Sequence, residues 1–137
     1  DFDQPKSGTC GTCTRCIDAC PTKAIIGPGQ LDARKCVSYL TIEKRGEIPE
    51  EFHKPIGNLI YGCDICQEVC PYNKVNAKPL TLEAFKEVKI AGHELDPIEI
   101  LNMASDEEFL NKFAGSTLMR SKLSGLKRNA KIILSNC

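Results

Sequence analysis

The spacing of hydrophobic residues divides the chain into two parts. After Pro79, apolar side chains recur every three or four positions, which predicts short amphipathic helices over about 81–89, 97–103, 105–114 and 118–135. The third begins with a capping box, Ser105 followed by Glu108 three positions later. The last has an apolar face formed by Leu118, Leu123, Leu126, Ala130, Ile133 and Leu134. We expect these helices to pack on one another and on the preceding part.

The part before residue 75 has only short helical patterns. Asp32 is a suitable N-cap for a helix over about 33–44, in which Cys36 and Leu40 share one face, so Cys36 is expected to lie within a helix. A shorter helix is expected to start at Pro49 and to be broken by Pro55 and Gly57, and residues 24–26 favour a short hairpin. These patterns predict a mostly helical α+β fold with one unit over residues 1–75 and a helical region over 76–137.

Eight of the nine cysteines follow a repeated spacing. The first run is C-x2-C-x2-C-x3-C-P, the spacing of bacterial ferredoxins, in which three cysteines hold one [4Fe-4S] cluster and the fourth reaches the other. The second run lacks its first member, since Ile60 stands there, and the isolated Cys36 can supply the missing ligand. The predicted sets are Cys10, Cys13, Cys16 and Cys70 for one cluster, and Cys20, Cys36, Cys63 and Cys66 for the other. Cys137 is expected to be a free thiol in a tail.

Other uses of the cysteines were weighed against two iron–sulfur clusters. Two four-cysteine zinc sites are a first alternative, although zinc motifs usually present two separated pairs. A disulfide framework is a second, although it is typical of small secreted domains. Burial of the cysteines as small apolar residues would not produce a repeated spacing, so that reading is excluded.

The amino-acid composition predicts that the cysteine-rich part needs its metal in order to fold. Apolar residues make up 42% of the 137 residues, but only 6% are aromatic and there is no tryptophan. Metal-binding free energy then becomes folding free energy, so the apo chain is expected to be partly unfolded. No apolar run approaches a membrane span and no leader is evident, which favours a location in the cytoplasm. The start at Asp1 suggests a piece of a longer polypeptide.

Charge is balanced overall but segregated along the chain. There are 18 basic and 18 acidic residues, yet no Asp or Glu occurs from residue 109 onward. That end has a formal charge of +6 from Lys112, Arg120, Lys122, Lys127, Arg128 and Lys131. It is either a solvated helix face or a phosphate-contacting surface.

Residues around the cysteines resemble one family closely. The stretches 10–22, 31–43, 48–51 and 57–73, with the isolated Cys36 in the family's place, are similar to the iron–sulfur part of epoxyqueuosine reductase. Residues 105–134, with Phe109-Leu110, Gly115-Ser116 and Arg128-Asn129-Ala130, resemble the region that leads into that family's C-terminal HEAT-like helices. The resemblance covers nearly the whole chain.

The resemblance implies an enzyme that removes the epoxide oxygen from epoxyqueuosine in the tRNA anticodon. Electrons from an external donor would pass through two [4Fe-4S] clusters to cobalamin. The larger part of the cobalamin site and the proton donor belong to an N-terminal domain that these residues do not include, so this part alone is expected to be inactive. A monomer without membrane association is expected.

The same resemblance suggests further site residues. Ser38 and Asp64 would face the corrinoid, their alternatives being a helix-surface hydroxyl and a helix-start acid. The tRNA backbone would be contacted by Arg120, Lys122, Lys127, Arg128 and Lys131, with Lys44 and Arg45 as further candidates. Rival functions are a free two-cluster ferredoxin, the cluster domain of another corrinoid reductase such as a reductive dehalogenase, and a zinc-binding nucleic-acid module.

Overall fold

The structure is a computed structural model that describes residues 10–79, 81–83, 90–92 and 94–136. It is a mostly helical α+β arrangement. Its α-helices are α1 (Arg15–Ala19), α2 (His53–Ile56), α3 (Ile65–Glu68), α4 (Pro71–Asn76), α5 (Pro97–Asn102), α6 (Asp106–Phe113) and α7 (Lys122–Ser135). Single 3-10 turns span Ala33–Lys35, Glu50–Phe52 and Thr117–Arg120, and a π-helical turn spans Tyr39–Glu43.

The predicted hairpin is present near its expected place. Strand β1 (Ile25–Gly27) pairs antiparallel with β2 (Gln30–Leu31), with Ile25 opposite Leu31 and Gly27 opposite Gln30. The two strands are joined by Pro28 and Gly29, and Gly29 has a φ of 68°, a conformation that glycine adopts without steric cost. The hairpin follows directly after the first cysteine run.

Helix α7 packs against two hydrophobic cores. The first core lies among the C-terminal helices and contains Ile100, Met103, Phe109, Phe113, Leu118, Leu123, Leu126 and Ala130. The second joins α7 to the cysteine-rich part and contains Val37, Leu40, Ile48, Ile56, Ile132 and Ile133. Helix α7 contributes Leu123, Leu126 and Ala130 to the first core, and Ile132 and Ile133 to the second. These contacts hold the helical region against the cysteine-rich part.

Several predicted boundaries of the helical region hold. Helix α6 begins after Ser105, whose Oγ accepts from the Glu108 amide at 3.2 Å, as the capping box predicts. The Glu108 carboxylate in return accepts from the Ala104 amide at 2.7 Å. Helix α5 matches the prediction over 97–103 closely. Most of the predicted helix over 81–89, together with His93 and Cys137, lies outside the described residues.

Three predicted helices were wrong in detail. The helix over 33–44 is interrupted, because Cys36 is extended (φ −64°, ψ 128°) between the 3-10 turn and the π turn. The helix over 118–135 begins only at Lys122, whose left-handed φ of 61° separates it from the turn over Thr117–Arg120. Pro55 does not break α2, because a proline in the first turn of a helix costs no hydrogen bond; the helix ends at Gly57.

Among the described residues, none of the helices is long and apolar enough to cross a membrane.

Candidate metal centre

The two cysteine runs fold into the same local structure. Thr14 (φ −117°, ψ 6°) and Asp64 (φ −111°, ψ 8°) precede α1 and α3, and both accept backbone hydrogen bonds from the residues three and four positions later. Each run ends in an extended cysteine before a proline: Cys20 has φ −65° and ψ 113°, and Cys70 has φ −70° and ψ 121°. The repeated spacing therefore produces a repeated backbone. Cys16 and Cys66 lie on short helices, and Cys20 and Cys70 follow those helices.

The cysteines line two adjoining cavities. The inner cavity, of about 310 Å³, is bordered by Cys16, Cys20, Cys36, Cys63 and Cys66. The outer cavity, of about 170 Å³, is bordered by Cys10, Cys13, Cys16 and Cys70. The structure thus brings the eight cysteines singled out by the sequence to two places, and Cys16 lies between them.

The extended conformation of Cys36 is what brings it to the inner cavity. Asp32 caps the preceding turn by accepting from the Arg34 amide at 3.2 Å, and the Cys36 amide donates to Ala33 O at 3.1 Å. The chain then turns back into a helical conformation, with the Leu40 amide donating to Cys36 O at 2.9 Å. The prediction that Cys36 lies within a helix was wrong, since its thiol projects from a bend between two helical turns.

The wall of the inner cavity is largely apolar. Besides the cysteines it contains Pro21, Ala24, Ile25, Leu31, Val37 and Ile65. Ala24 and Val37 are only 1% and 2% exposed. In the outer cavity, by contrast, Cys10 and Cys13 are exposed to solvent. An apolar shell controls solvent access and local dielectric at a metal site, so the two cavities offer different environments.

The protonation of the inner thiols depends on burial and on one another. Burial raises the pKa of Cys63, and the neighbouring Cys66, Cys36 and Cys20 raise it further. Burial also raises the pKa of Cys66, with Cys36 adding to the effect. Like charges at short range disfavour the thiolate form, so four thiolates together require a cationic partner.

Cys20 differs from its neighbours because it accepts hydrogen bonds. Burial acts to raise its pKa, but bonds from the backbone of Ile25 and Ala24 and from Thr22 outweigh it, so the pKa of Cys20 is lowered. The Ala24 amide donates to Cys20 Sγ at 3.2 Å, and Thr22 Oγ1 lies 3.8 Å from the same sulfur. Hydrogen bonds to ligand sulfurs are among the features that set iron–sulfur potentials.

The donor set fits iron–sulfur clusters. All eight described cysteines are free thiols. Within the residues that the structure describes, no group of three or more His, Cys, Asp or Glu side chains converges on the position of a single metal ion. The eight thiols line two cavities of about 310 and 170 Å³, each bordered by at least four cysteines, and [4Fe-4S] clusters are held by four cysteine thiolates.

The comparisons with known proteins agree with this geometry. Residues 9–73 match the family described as a 4Fe-4S double cluster binding domain. The chain is 48% identical over 137 residues to an epoxyqueuosine reductase of Xanthomonas campestris, covering 98% of this chain and 37% of that relative. It is 46% identical over 129 residues to one of Pseudomonas aeruginosa, covering 93% of this chain and 34% of that relative.

Solved structures of the same enzyme are similar along nearly the whole chain. Epoxyqueuosine reductase from Bacillus subtilis is 40% identical with a TM-score of 0.83, over 99% of this chain and 36% of that one. An epoxyqueuosine reductase with a tRNA-Tyr epoxyqueuosine-modified tRNA stem loop is 38% identical with a TM-score of 0.86, over 99% of this chain and 35% of that one. The chain corresponds to a segment of epoxyqueuosine reductases and is similar to that segment along nearly its whole length. It spans between about a third and two-fifths of the length of the relatives it matches.

The two residues that the family resemblance suggested for a corrinoid lie beside the inner cavity. Ser38 is half-buried and its Oγ donates to Cys63 O at 3.4 Å, which places it next to Asp64. Asp64 is exposed and its carboxylate makes no capping hydrogen bond in α3. In the first cysteine run, the equivalent Thr14 donates to Asp18 at 2.7 Å, whereas Asp64 has the acidic Glu68 at that spacing. Asp64 therefore stands at the N-terminus of α3 without capping it through its side chain.

The basic residues suggested for tRNA differ in their exposure and in their hydrogen-bond partners. Lys122 and Lys131 are exposed, Arg120 is exposed and paired with Glu43, and Lys127 donates to Met103 O. Lys127 and Lys131 border an open groove of about 550 Å³. That groove also contains Glu47, His53, Ser124, Arg128, Ile132 and Ser135. Lys122 and Lys131 are therefore more available to an external anion than Lys127 or Arg128.

Arg128 binds backbone carbonyls of the cysteine-rich part, which its charge alone does not indicate. Its guanidinium donates to Leu40 O at 2.7 Å, Lys44 O at 2.8 Å and Gly46 O at 2.6 Å. Burial lowers the pKa of Arg128, and the nearby Glu47 acts in the opposite direction. Arg45 is also engaged, since it donates to Arg120 O at 3.0 Å.

Sequence reasoning missed the buried residues that join α7 to the cysteine segments. Asn129 is 1% exposed and donates to two carbonyls of the cysteine-rich part, and Thr41, at 0% exposed, donates to Val37 O. The available signal was a polar amide immediately beside Ala130 on an otherwise apolar helix face, because a buried amide needs partners.

Proposed function

We propose that this chain is the electron-transfer part of a cobalamin-dependent epoxyqueuosine reductase. Its task is to hold two [4Fe-4S] clusters and keep them in a fixed relation. The single observation that supports this most strongly is the division of eight free thiols between two adjoining cavities. The similarity to epoxyqueuosine reductases points the same way.

The division of ligands follows from counting. The outer cavity is bordered by only four cysteines, so a four-ligand cluster there needs Cys16 as well as Cys10, Cys13 and Cys70. The inner cavity then retains Cys20, Cys36, Cys63 and Cys66. Each thiol is used once, and the two sets are those that the cysteine spacing predicts.

The protein's own residues prepare the sites in three ways. The repeated cysteine turns orient the thiols, Ala24 and Val37 supply a buried apolar part of the inner cavity's wall, and the Ala24 amide donates to the Cys20 sulfur. When bound, the clusters supply one-electron transfer, for which we propose an external donor and cobalamin as acceptor.

The reaction of the whole protein would be the conversion of epoxyqueuosine to queuosine in tRNA. We place the corrinoid near Ser38 and Asp64, since these polar groups adjoin Cys63 at the edge of the inner cavity. The proton donor and the larger part of the corrinoid site would lie outside this chain. The protein would act in the cytoplasm as a monomer, and the helices after residue 76 would begin a HEAT-like array.

The tRNA would lie along the basic C-terminal part. Lys127 and Lys131 border one open groove, and the exposed Lys122 and Arg120 extend the positive surface. Arg128 contributes charge but its donors are already used. Phosphate contacts release counterions, so affinity should fall steeply with salt.

Metal analysis of the anaerobically purified protein tests cluster binding. Four-cysteine ligation of two cubanes predicts about eight irons and about eight sulfides per chain. Stoichiometric zinc without sulfide would contradict the proposal and favour a zinc module.

A second experiment separates the reductase from a free ferredoxin. In the full protein, Lys131→Ala should weaken binding of an epoxyqueuosine-containing tRNA stem loop and reduce the salt slope by about 1. Lys74→Ala, an exposed lysine on α4, is the control and should change neither quantity. Salt-insensitive or absent binding by the protein with both clusters would instead favour a ferredoxin or another corrinoid reductase.

A further inference from the structure

The carbonyl groups of the π turn after Cys36 accept hydrogen bonds from side chains, two of which, Arg128 and Asn129, are on α7. The last carbonyls of any helix lack intrahelical partners and need others when they are buried. Here Arg128 donates to Leu40 O, Asn129 Nδ2 donates to Thr41 O at 2.8 Å, and Arg45 donates to Ile42 O at 3.4 Å. Arg128 also donates to Lys44 O and Gly46 O, so one guanidinium binds three carbonyls in and just after the turn.

Asn129 connects this turn to the second cysteine segment. The same Nδ2 donates to Ile60 O at 2.9 Å, three residues before Cys63. Its Oδ1 accepts from Arg128 Nε at 3.1 Å and from the guanidinium Nη2 at 2.9 Å, which fixes the orientation of the amide. An asparagine in this position can donate to both segments at once because its amide has two N–H groups.

Thr41 forms a second link between the same segments. Its Oγ1 donates to Val37 O at 2.8 Å and accepts from the Gly62 amide at 3.0 Å. Val37 follows Cys36 and Gly62 precedes Cys63, so this hydroxyl joins the neighbours of two inner-cavity thiols. Within the described residues no buried side-chain nitrogen or oxygen lacks a hydrogen-bond partner, so the network is complete.

We propose that Arg128 and Asn129 are positioning residues for the inner cluster. They hold the chain on both sides of the inner cavity, after Cys36 and before Cys63, in one arrangement relative to α7. None of their hydrogen bonds reaches residues 10–20 or Cys70, so the outer cluster does not depend on them directly. The inference rests on the proposed cluster binding.

The test compares the two clusters within one protein. Asn129→Ala removes the donor to the buried Thr41 O and to the half-buried Ile60 O, and Arg128→Lys keeps the charge but loses the planar fork that reaches three carbonyls. In the cluster-loaded protein, we expect a chelator to remove about half of the iron roughly tenfold faster than in the unaltered protein. The remaining half should be released at the unaltered rate. The EPR signal and midpoint potential of one cluster should change while those of the other stay constant.

Ile100→Ala is the matched control. Ile100 is buried in the first core and takes part in none of the hydrogen bonds of Arg128, Asn129 and Thr41, so its truncation destabilises the fold while leaving every donor and acceptor of the proposed link in place. Its iron release should not become selective, and both EPR signals should persist.

The outcomes separate the two levels of the proposal. Equal release from both clusters in Asn129→Ala and Ile100→Ala, or unchanged release in Arg128→Lys, would overturn the positioning role. If the Asn129→Ala variant does not fold, the rate of iron release from the Arg128→Lys variant decides whether the positioning role holds. Fewer than about eight irons in the unaltered protein would instead contradict the proposed function itself.

Discussion

The inner and outer cavities use the same cysteine turn but differ in what surrounds it. The outer cavity is bordered by two exposed cysteines and by Arg15, Pro71 and Tyr72. The inner cavity has a largely apolar wall that includes the buried Ala24 and Val37, and it receives Cys36 from a separate segment that packs against α7. The comparison suggests that a repeated motif supplies ligands, whereas the rest of the chain decides how protected each site is.

The largest expected effect comes from removing Cys36, the inner-cavity ligand that lies outside both cysteine runs. Cys36→Ser should lower the iron content from about eight to about four per chain, because the inner cluster loses its fourth thiolate. The measurement is iron and sulfide analysis after anaerobic purification. Cys137→Ser is the matched control, as it removes the ninth cysteine, which neither predicted set includes, and should leave about eight irons. Equal iron loss in both variants would show that the assignment of Cys36 is wrong.

The next effect is the order in which the clusters are lost. Because Cys10 and Cys13 are exposed, the outer cluster should be destroyed first by air or a chelator. Two single-cluster variants make the comparison direct: Cys36→Ser retains the outer cluster and Cys10→Ser the inner one. Absorbance decay under air should be faster in Cys36→Ser. Similar decay rates would mean that burial does not distinguish the cavities.

A smaller effect tests the apolar wall. Val37→Ala removes two buried methyl groups beside Cys36 and should destabilise the protein by about 2 kcal/mol. It should also admit water to the inner cavity and speed loss of that cluster. Val75→Ala is the control, since Val75 is 79% exposed on α4 and should change stability by less than about 0.5 kcal/mol. Chemical denaturation of both variants gives the comparison, and indistinguishable midpoints would argue against the second core as a support of the site.

The smallest effect concerns the hydrogen bonds to Cys20. Thr22→Val keeps the shape but removes the hydroxyl 3.8 Å from Cys20 Sγ. Losing a weak bond to a ligand sulfur should lower the potential of the inner cluster by about 20–40 mV and leave the outer one unchanged. A redox titration followed by EPR measures both. A shift confined to the outer cluster would mean that Cys20 belongs to the other set.

The sequence could predict the ligands because their geometry is local. The spacing from Cys13 to Cys20 and from Cys63 to Cys70 determines a short helical turn, and the structure shows the same backbone in both. The capping signals at Asp32 and Ser105 were similarly local and are confirmed. Such features depend on a few neighbouring residues, which a sequence pattern contains in full.

What the sequence could not predict depends on contacts between distant segments. The π turn that follows the bend at Cys36 is held from α7 by Arg128, 88 residues after Leu40, whereas periodicity alone favoured a continuous helix over 33–44. Lys122 has a left-handed backbone conformation directly after Arg120 and Ser121, whose carbonyls accept hydrogen bonds from Arg45. A contact with a residue so far away in the sequence cannot be read from the local pattern. For Arg128, the RNA contact suggested by its charge stays a prediction, and no local pattern indicated that its guanidinium binds backbone carbonyls some eighty residues earlier.

The central claim is that eight thiols act as two separate sets of four. Its most direct test is the iron and sulfide content, with the EPR spectrum of the reduced state, of Cys10→Ser, Cys36→Ser and the double variant. The account predicts that each single variant retains about four irons and a different one of the two cluster signals, and that the double variant retains neither. If both single variants lose the same signal, or if one substitution removes all iron from a folded protein, the division into two sets is contradicted.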